Sequence, residues 1–323
     1  MIPGLIAVLL ILSFVLIKAT DMVIVAIRRI SRQTHTGVFA ISAIILALGT
    51  SLPEFFVGIT SAIEGSPNLS LGVVLGSNIA NIALIGGATA FFAGRILVHS
   101  DYIIHDVWIA FLAGILPVFL ASDGTLNRVD ALILLSIYLA YTTGFFKVRY
   151  LQIAREQKEE SFVFRFFRKF NHIPQMERRE FGKLFVGLAL LLASSDAIVR
   201  ISTYLANYAG IPIFLVGLFI VAVGTSLPEL AFSFRSISEH EPSMFFGNLL
   251  GSTIANSTLI VGVTTLIAPL NVIAFNEYLT AVAAFIVIFI LFWLFIRTKH
   301  RLERWEAFVL LCLYFVFVVV EFL

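Results

Sequence analysis

Charge is what this sequence has least of. Asp, Glu, Lys and Arg make up only 13% of its 323 residues, against 59% hydrophobic. That is about half the charge of an ordinary soluble domain. A mean hydropathy of +1.00 leaves too little polar surface to coat a water-soluble globule, which excludes a cytosolic enzyme or a disordered chain. One cysteine, Cys312, excludes an internal disulfide framework and a zinc centre. A net charge of +2 offers no broad basic face, so nucleic acid is not an expected partner. What remains is a polytopic membrane protein.

Long apolar runs are abundant. A helix crossing the bilayer needs about 20 mostly apolar residues, and such runs lie near 2–27, 37–63, 70–94, 102–121 and 127–146. Five more lie near 183–208, 211–235, 243–268, 273–296 and 303–323. None alternates as a barrel strand would. The first run lacks a basic start and stays apolar too long for a cleavable signal peptide. The expectation is an all-α membrane protein of ten transmembrane helices, with 37–63 and 211–235 as candidates for broken spans.

Nineteen of the 22 lysines and arginines fall in the connections after spans one, three, five, seven and nine. Basic loops face the cytoplasm, so both termini are expected outside it, in the cell membrane. The long polar connection, 147–182, is expected in the cytoplasm. Its segment Ser161–Phe170, basic and aromatic by turns, reads as a juxtamembrane helix extension or a stretch lying on an anionic surface. It is too short for a folded regulatory domain.

The chain repeats itself. Ala47–Glu54 (ALGTSLPE) returns as Ala222–Glu229 (AVGTSLPE), and Gly76–Asn81 (GSNIAN) as Gly251–Asn256 (GSTIAN), both displaced by 175 residues. The same offset carries Asp21 to Asp196. One constant offset over three landmarks means a duplicated unit, 1–146 and 183–323. Five spans per unit is an odd number, so the second unit enters the membrane from the opposite side. Two inverted five-helix repeats place a binding site near the midplane between them.

The repeated residues define the chemistry. Glu54 and Glu229 are carboxylates within apolar spans, at a cost of ~3 kcal/mol each on insertion scales unless they face a polar cavity or a cation. Thr50 and Ser51 share a helical face with Glu54, and Thr225 and Ser226 share one with Glu229. Ser77 and Asn81 form a second polar stripe, repeated by Ser252 and Asn256. Pro53 and Pro228 remove backbone donors, which loosens carbonyls near Gly49 and Gly224 and around Ala47 and Ala222. Small residues also let membrane helices pack closely, so the glycines and serines carry a packing reading as well. A glutamate at matching positions in each half does not. All these donors are hard oxygens, suited to calcium, sodium or magnesium rather than zinc or copper. Two negative charges match one divalent or two monovalent ions, and two inverted halves can expose them to either side in turn. Asp21 and Asp196 stay outside this set: Asp21 alone has a base close by, Lys18, and an ion pair or helix cap accounts for it. The six histidines (35, 99, 105, 172, 240 and 300) fall near expected membrane edges or loops.

The paired motifs, each occurring twice in register, resemble the two α-repeats of the sodium/calcium exchanger superfamily over nearly the whole chain. The resemblance implies that the second and seventh helices break at the site. It implies coordination by Glu54 and Glu229, by side chains or carbonyls of Thr50, Ser51, Thr225 and Ser226, and by carbonyls of Ala47 and Ala222. Ser77, Asn81, Ser252 and Asn256 would complete the cluster, and the first and sixth helices would slide across the bundle to alternate access. Family members often carry aspartate at one of the positions held here by Asn81 and Asn256, so this site has two acids rather than three. Val73 also stands where the second repeat has Asn248. The expected activity is calcium/sodium antiport by a single chain, with no obligate protein partner and no cofactor. Inorganic cations and the lipid bilayer are its expected partners. Cation/proton antiport is the runner-up. An intramembrane enzyme lacks a nucleophile with a partner histidine, and a non-transporting cation sensor leaves the duplication unexplained.

Overall fold

The computed structural model describes residues 2–34, 51–98, 101–154, 175–272 and 274–322. Helix α1 runs over Ile2–Thr34, α2 over Leu52–Ile63, α4 over Asp101–Leu120, α5 over Arg128–Ala154 and α6 over Gln175–Ala209. Three others are Pro67–Ala93 (α3), Ile213–Ser238 (α7) and Pro242–Ile267 (α8). Phe275–Lys299 (α9) and Arg304–Glu321 (α10) follow. Among the described residues seven helices are long and apolar enough to cross a membrane: α1, α3, α4 and α6 to α9. Residues 35–50, where the expected second span begins, lie outside the described residues, as does the aromatic-basic segment 161–170. Helices α5 and α6 reach into the expected polar connection 147–182, of which residues 155–174 lie outside the described residues.

The outside of the bundle is apolar where a soluble fold would be polar, and the mostly apolar inside also holds buried carboxylates, amides and hydroxyls. Phe119 is 77% exposed while Glu229 is 0% exposed. Lipid is as good a neighbour for Phe119 as protein would be, whereas a carboxylate in hydrocarbon has no partner. Two apolar clusters divide the interior. One joins α1 and α6 through Leu9, Leu16, Val23, Leu191 and Ile198, and touches α2, α3 and α7 through Val57, Val73 and Val221. The larger binds α3, α4, α8, α9 and α10, with Phe245, Phe246, Phe285, Phe289 and Phe292 at its centre.

Elements recur at the offset of the sequence motifs. Leu52–Ile63 recurs as Leu227–Ser238, and Pro67–Ile79 as Pro242–Ile254. Four short strands, unforeseen because none has more than three residues, clasp the first half of the chain to the second. β1 (Arg95–Leu97) pairs antiparallel with β4 (Arg301–Glu303), and β2 (Thr125–Leu126) with β3 (Leu270–Asn271). In β4 the Glu303 carboxylate accepts hydrogen bonds from Lys299 Nζ and Trp305 Nε1, each at 2.8 Å, and pairs with Arg301 at 2.6 Å. Lys299 first, then Trp305 and Arg301, hold its pKa down at about 2.

One expectation needs correction. Asp196 is not without a base: both its oxygens lie 3.0 Å from Arg200 Nε, one helical turn on. Arg200 also reaches Glu64 at 2.9 Å. Asp21 keeps its expected neighbour Lys18 at 3.9 Å, with both side chains exposed.

Candidate cation site

The serines of the two GTSLPE copies take the same backbone conformation. Ser51 has φ −87° and ψ 5°, and Ser226 has φ −86° and ψ 4°. Ser226 ends the stretch Ala222–Thr225, and after each serine Leu-Pro starts a helical segment. Proline is at ease there, since a first-turn residue needs no N–H donor and its fixed φ suits the helix. This sets Glu54 and Glu229 in the first turn of their segments, where free amides favour negative charge.

The described candidates are all buried. Ser51, Glu54, Ser77, Asn81, Ala222, Thr225, Ser226, Glu229, Ser252 and Asn256 are each at most 2% exposed. Thr50 and Ala47 lie outside the described residues. The halves interlock at Glu54: the side chains of Thr225 and Ser226 face its carboxylate across the bundle. Ser77 Oγ stands 3.5 Å from Glu54 Oε1, near enough to share a ligand and too far for a strong hydrogen bond.

Several acceptors in this core have no donor. Among the described residues, Glu54 Oε2, Ser51 Oγ, Ser226 Oγ, Asn256 Oδ1 and Asn81 Oδ1 lack hydrogen-bond partners. Leaving a buried polar group unsatisfied costs about 1–3 kcal/mol, more when it is charged. Such a collection is maintained only if something else satisfies it, and hard oxygens satisfy a hard cation. The carbonyl of Ala222 differs from expectation. Far from being loose, it accepts the Ser226 amide at 3.0 Å and the Thr225 hydroxyl at 3.2 Å.

Two features escaped the sequence reading. Asn81 and Asn256 both sit in π-helical stretches, Ala80–Gly86 and Ala255–Ile260. A π turn inserts one extra residue and re-aims side chains, and such turns collect at functional sites. The second is Asn78, outside any expected role because the repeat has Thr253 in its place. Its Oδ1 accepts Asn256 Nδ2 at 3.2 Å, and its Nδ2 donates to Ser257 Oγ at 2.7 Å. Asn256 is thereby held with its nitrogen tied and its oxygen free to meet a ligand. No periodicity marks Asn78; only the facing helix does.

A helical bundle with membrane-length apolar helices, a buried carboxylate in each half, and hydroxyls of the second half facing the carboxylate of the first has the architecture of a cation transporter. Comparison with known proteins agrees. The sequence profile described as sodium/calcium exchanger protein matches residues 4–147 and again 180–323, and the chain belongs to that family of exchangers, which are not enzymes. It is 33% identical to CaxA of Alkalimonas amylolytica over 79% of this chain and 78% of CaxA. It is 28% identical to the sodium/calcium exchanger MaX1 of Methanosarcina acetivorans over 95% of each. Crystals of the sodium-calcium exchanger NCX_Mj soaked with sodium and strontium hold the same fold, with TM-score 0.60 and 24% identity over 98% of each chain.

Proposed function

We propose that the protein exchanges calcium for sodium by alternating access, through ten transmembrane helices arranged as two inverted five-helix repeats. The observation that carries this reading is the set of donorless oxygens around Glu54, faced by Thr225 and Ser226 of the other repeat. Glu54 and Glu229 would supply the charge. The hydroxyls of Ser51, Thr225, Ser226, Ser77 and Ser252 and the amides of Asn81 and Asn256 would supply neutral oxygens, with Thr50 and the Ala47 carbonyl joining from the first motif. The Ala222 carbonyl would exchange the Thr225 hydroxyl for an ion. One chain carries both halves of the site, so no partner subunit is required. Helices α1 and α6, which share an apolar cluster apart from the larger one, would move as a pair. Positive-inside charge supports a cell-membrane protein with both termini outside the cytoplasm and the connection 147–182 inside it.

Proton-coupled exchange is the second reading, and Asn81 with Asn256 is what favours it, because the site holds two acids where many family members hold three. Radioactive calcium uptake into proteoliposomes separates them. Uptake driven by an outward sodium gradient at fixed pH is the expected result. Uptake that needs an outward proton gradient and ignores sodium would transfer the protein to the second reading, and no uptake under either gradient would remove calcium as the cargo. Asn256→Asp adds a third carboxylate to the ring, and a changed sodium-to-calcium ratio is expected in the same assay. An unchanged ratio and an unchanged ion preference would show that residue 256 does not touch the ions.

A further inference from the structure

At the end of the bundle where β1 meets β4, a groove of about 560 Å³ opens between the end of α3 and the start of α10. Its polar wall carries Arg95, Arg301 and Arg304, and Trp305 and Phe308 form its apolar wall. The single exposed-side carboxylate, Glu303, is already saturated: Arg301 holds Oε1, and Lys299 and Trp305 hold Oε2. Glu306 turns inward, closing a capping box on the Glu303 amide at 2.8 Å. Arg95 lies directly opposite Glu303 in the ladder and makes no ion pair with it or with any other described residue. Arg304 spends Nε on the Phe91 carbonyl at 3.0 Å, with its guanidinium over the Phe91 ring at 5.9 Å. Four cations thus face two carboxylates, and the remaining N–H donors of Arg95 and Arg304 point to an anion with several oxygens. Forked guanidinium groups match phosphate geometry.

The apolar side of the groove continues along α10. Trp305, Phe308, Phe315 and Val319 are each more than half exposed, and Cys312 is exposed between them. Spaced three and four residues apart, they form one stripe along the helix. A phosphate at one end and a hydrocarbon track leading away from it describe a single amphiphile. We infer that this groove binds an anionic phospholipid, its phosphate on Arg95, Arg301 and Arg304 and one acyl chain along the α10 stripe. Positive-inside charge places it in the cytoplasmic leaflet, where anionic lipids concentrate. The inference needs a membrane protein but not calcium exchange, and its test reads binding rather than flux.

Native mass spectrometry of the detergent-purified full chain, supplied with phosphatidylglycerol or phosphatidylcholine, is the test. Phosphatidylglycerol should be retained in preference at one per chain. A basic residue at the membrane surface contributes about fivefold to such binding, so Arg95→Gln should weaken retention about fivefold, and Arg95→Gln with Arg301→Gln roughly twentyfold. Arg95→Lys should keep most of it. Arg95→Gln should elute as the parent does on size exclusion, since Arg95 bears no ion pair whose loss would loosen the ladder, and it is the variant that separates lipid loss from loss of the Arg301–Glu303 pair. Equal retention of phosphatidylcholine, or full retention in the double variant, would overturn the proposal. Displacement of the lipid by millimolar inorganic phosphate would also overturn it and assign the arginines to a free anion.

Discussion

Glu54→Gln should abolish calcium-driven stabilisation and cut exchange at least about a hundredfold, and Glu229→Gln should do the same. Each change keeps the side-chain shape and removes half of the site's formal charge. Loss of one member of a buried charge pair is worth about 3–5 kcal/mol, and each 1.4 kcal/mol is tenfold in affinity. The fold should survive, because the described side chains that face the Glu54 carboxylate, Thr225, Ser77 and Ser226, are neutral hydroxyls rather than ion-pair partners. Melting in chelator should therefore stay near the parent value, while the upward shift with added calcium should vanish, since a ligand stabilises only the state that binds it. This pairing separates loss of the site from loss of the structure. A variant at either position that still melts higher in calcium and still exchanges would move the ions elsewhere. Ser77→Ala should have a milder effect, because it removes one neutral oxygen from a site that keeps both charges.

Much of this site was legible because duplication writes it twice. Glu54 alone is a buried acid with many explanations; Glu54 and Glu229 at a fixed offset, each trailing Thr-Ser and Leu-Pro, have few. The break expected in 211–235 was legible too, since proline inside an apolar run must end or bend a helix, and the chain does break at Ser226, between Ala222–Thr225 and Leu227–Ser238. What stayed hidden lacks a local signature. A π turn has the composition of the α-helix around it, so nothing in ANIALIG announces that Asn81 is re-aimed. Asn78 acquires its role from Asn256 and Ser257, nearly 180 residues away. The Asp196–Arg200 pair has the ordinary one-turn spacing of an exposed helix face, which marks no site by itself. The strands escaped for a different reason: two or three residues hold no period, and only the fold brings Arg95 opposite Glu303.

Gly76→Ala, one added methyl group, should be nearly as damaging as loss of a carboxylate. A Cβ at this position would stand 2.1 Å from the Leu218 carbonyl oxygen and 2.8 Å from the Ala222 Cβ. Neither is the far end of a flexible side chain, so nothing can swing aside and the helices themselves must part. The same crossing is tight at two other points: a Cβ at Gly72 would meet the Phe214 carbonyl at 2.1 Å, and one at Gly217 the Leu69 carbonyl at 2.5 Å. Close backbone approach of this kind is what small residues do in membrane helices. Here it has a functional consequence, because Ser77 follows Gly76 directly and Asn81 lies one turn beyond. Restoring ordinary contact requires α3 and α7 to separate by about 1 Å, on top of an overpacking cost of about 1–3 kcal/mol. That carries Ser77 away from Glu54 and α3 away from Thr225 and Ser226. Gly76→Ala should therefore melt several degrees lower, lose the calcium-induced shift and exchange at background level. Gly217→Ala should follow the same course less severely, whereas Gly86→Ala, whose Cβ would lie 3.2 Å from its nearest described neighbour, should keep most activity. Wild-type melting and flux in Gly76→Ala would mean that α3 and α7 do not meet at this distance in the working protein, and that the oxygen cluster is not held together by their contact.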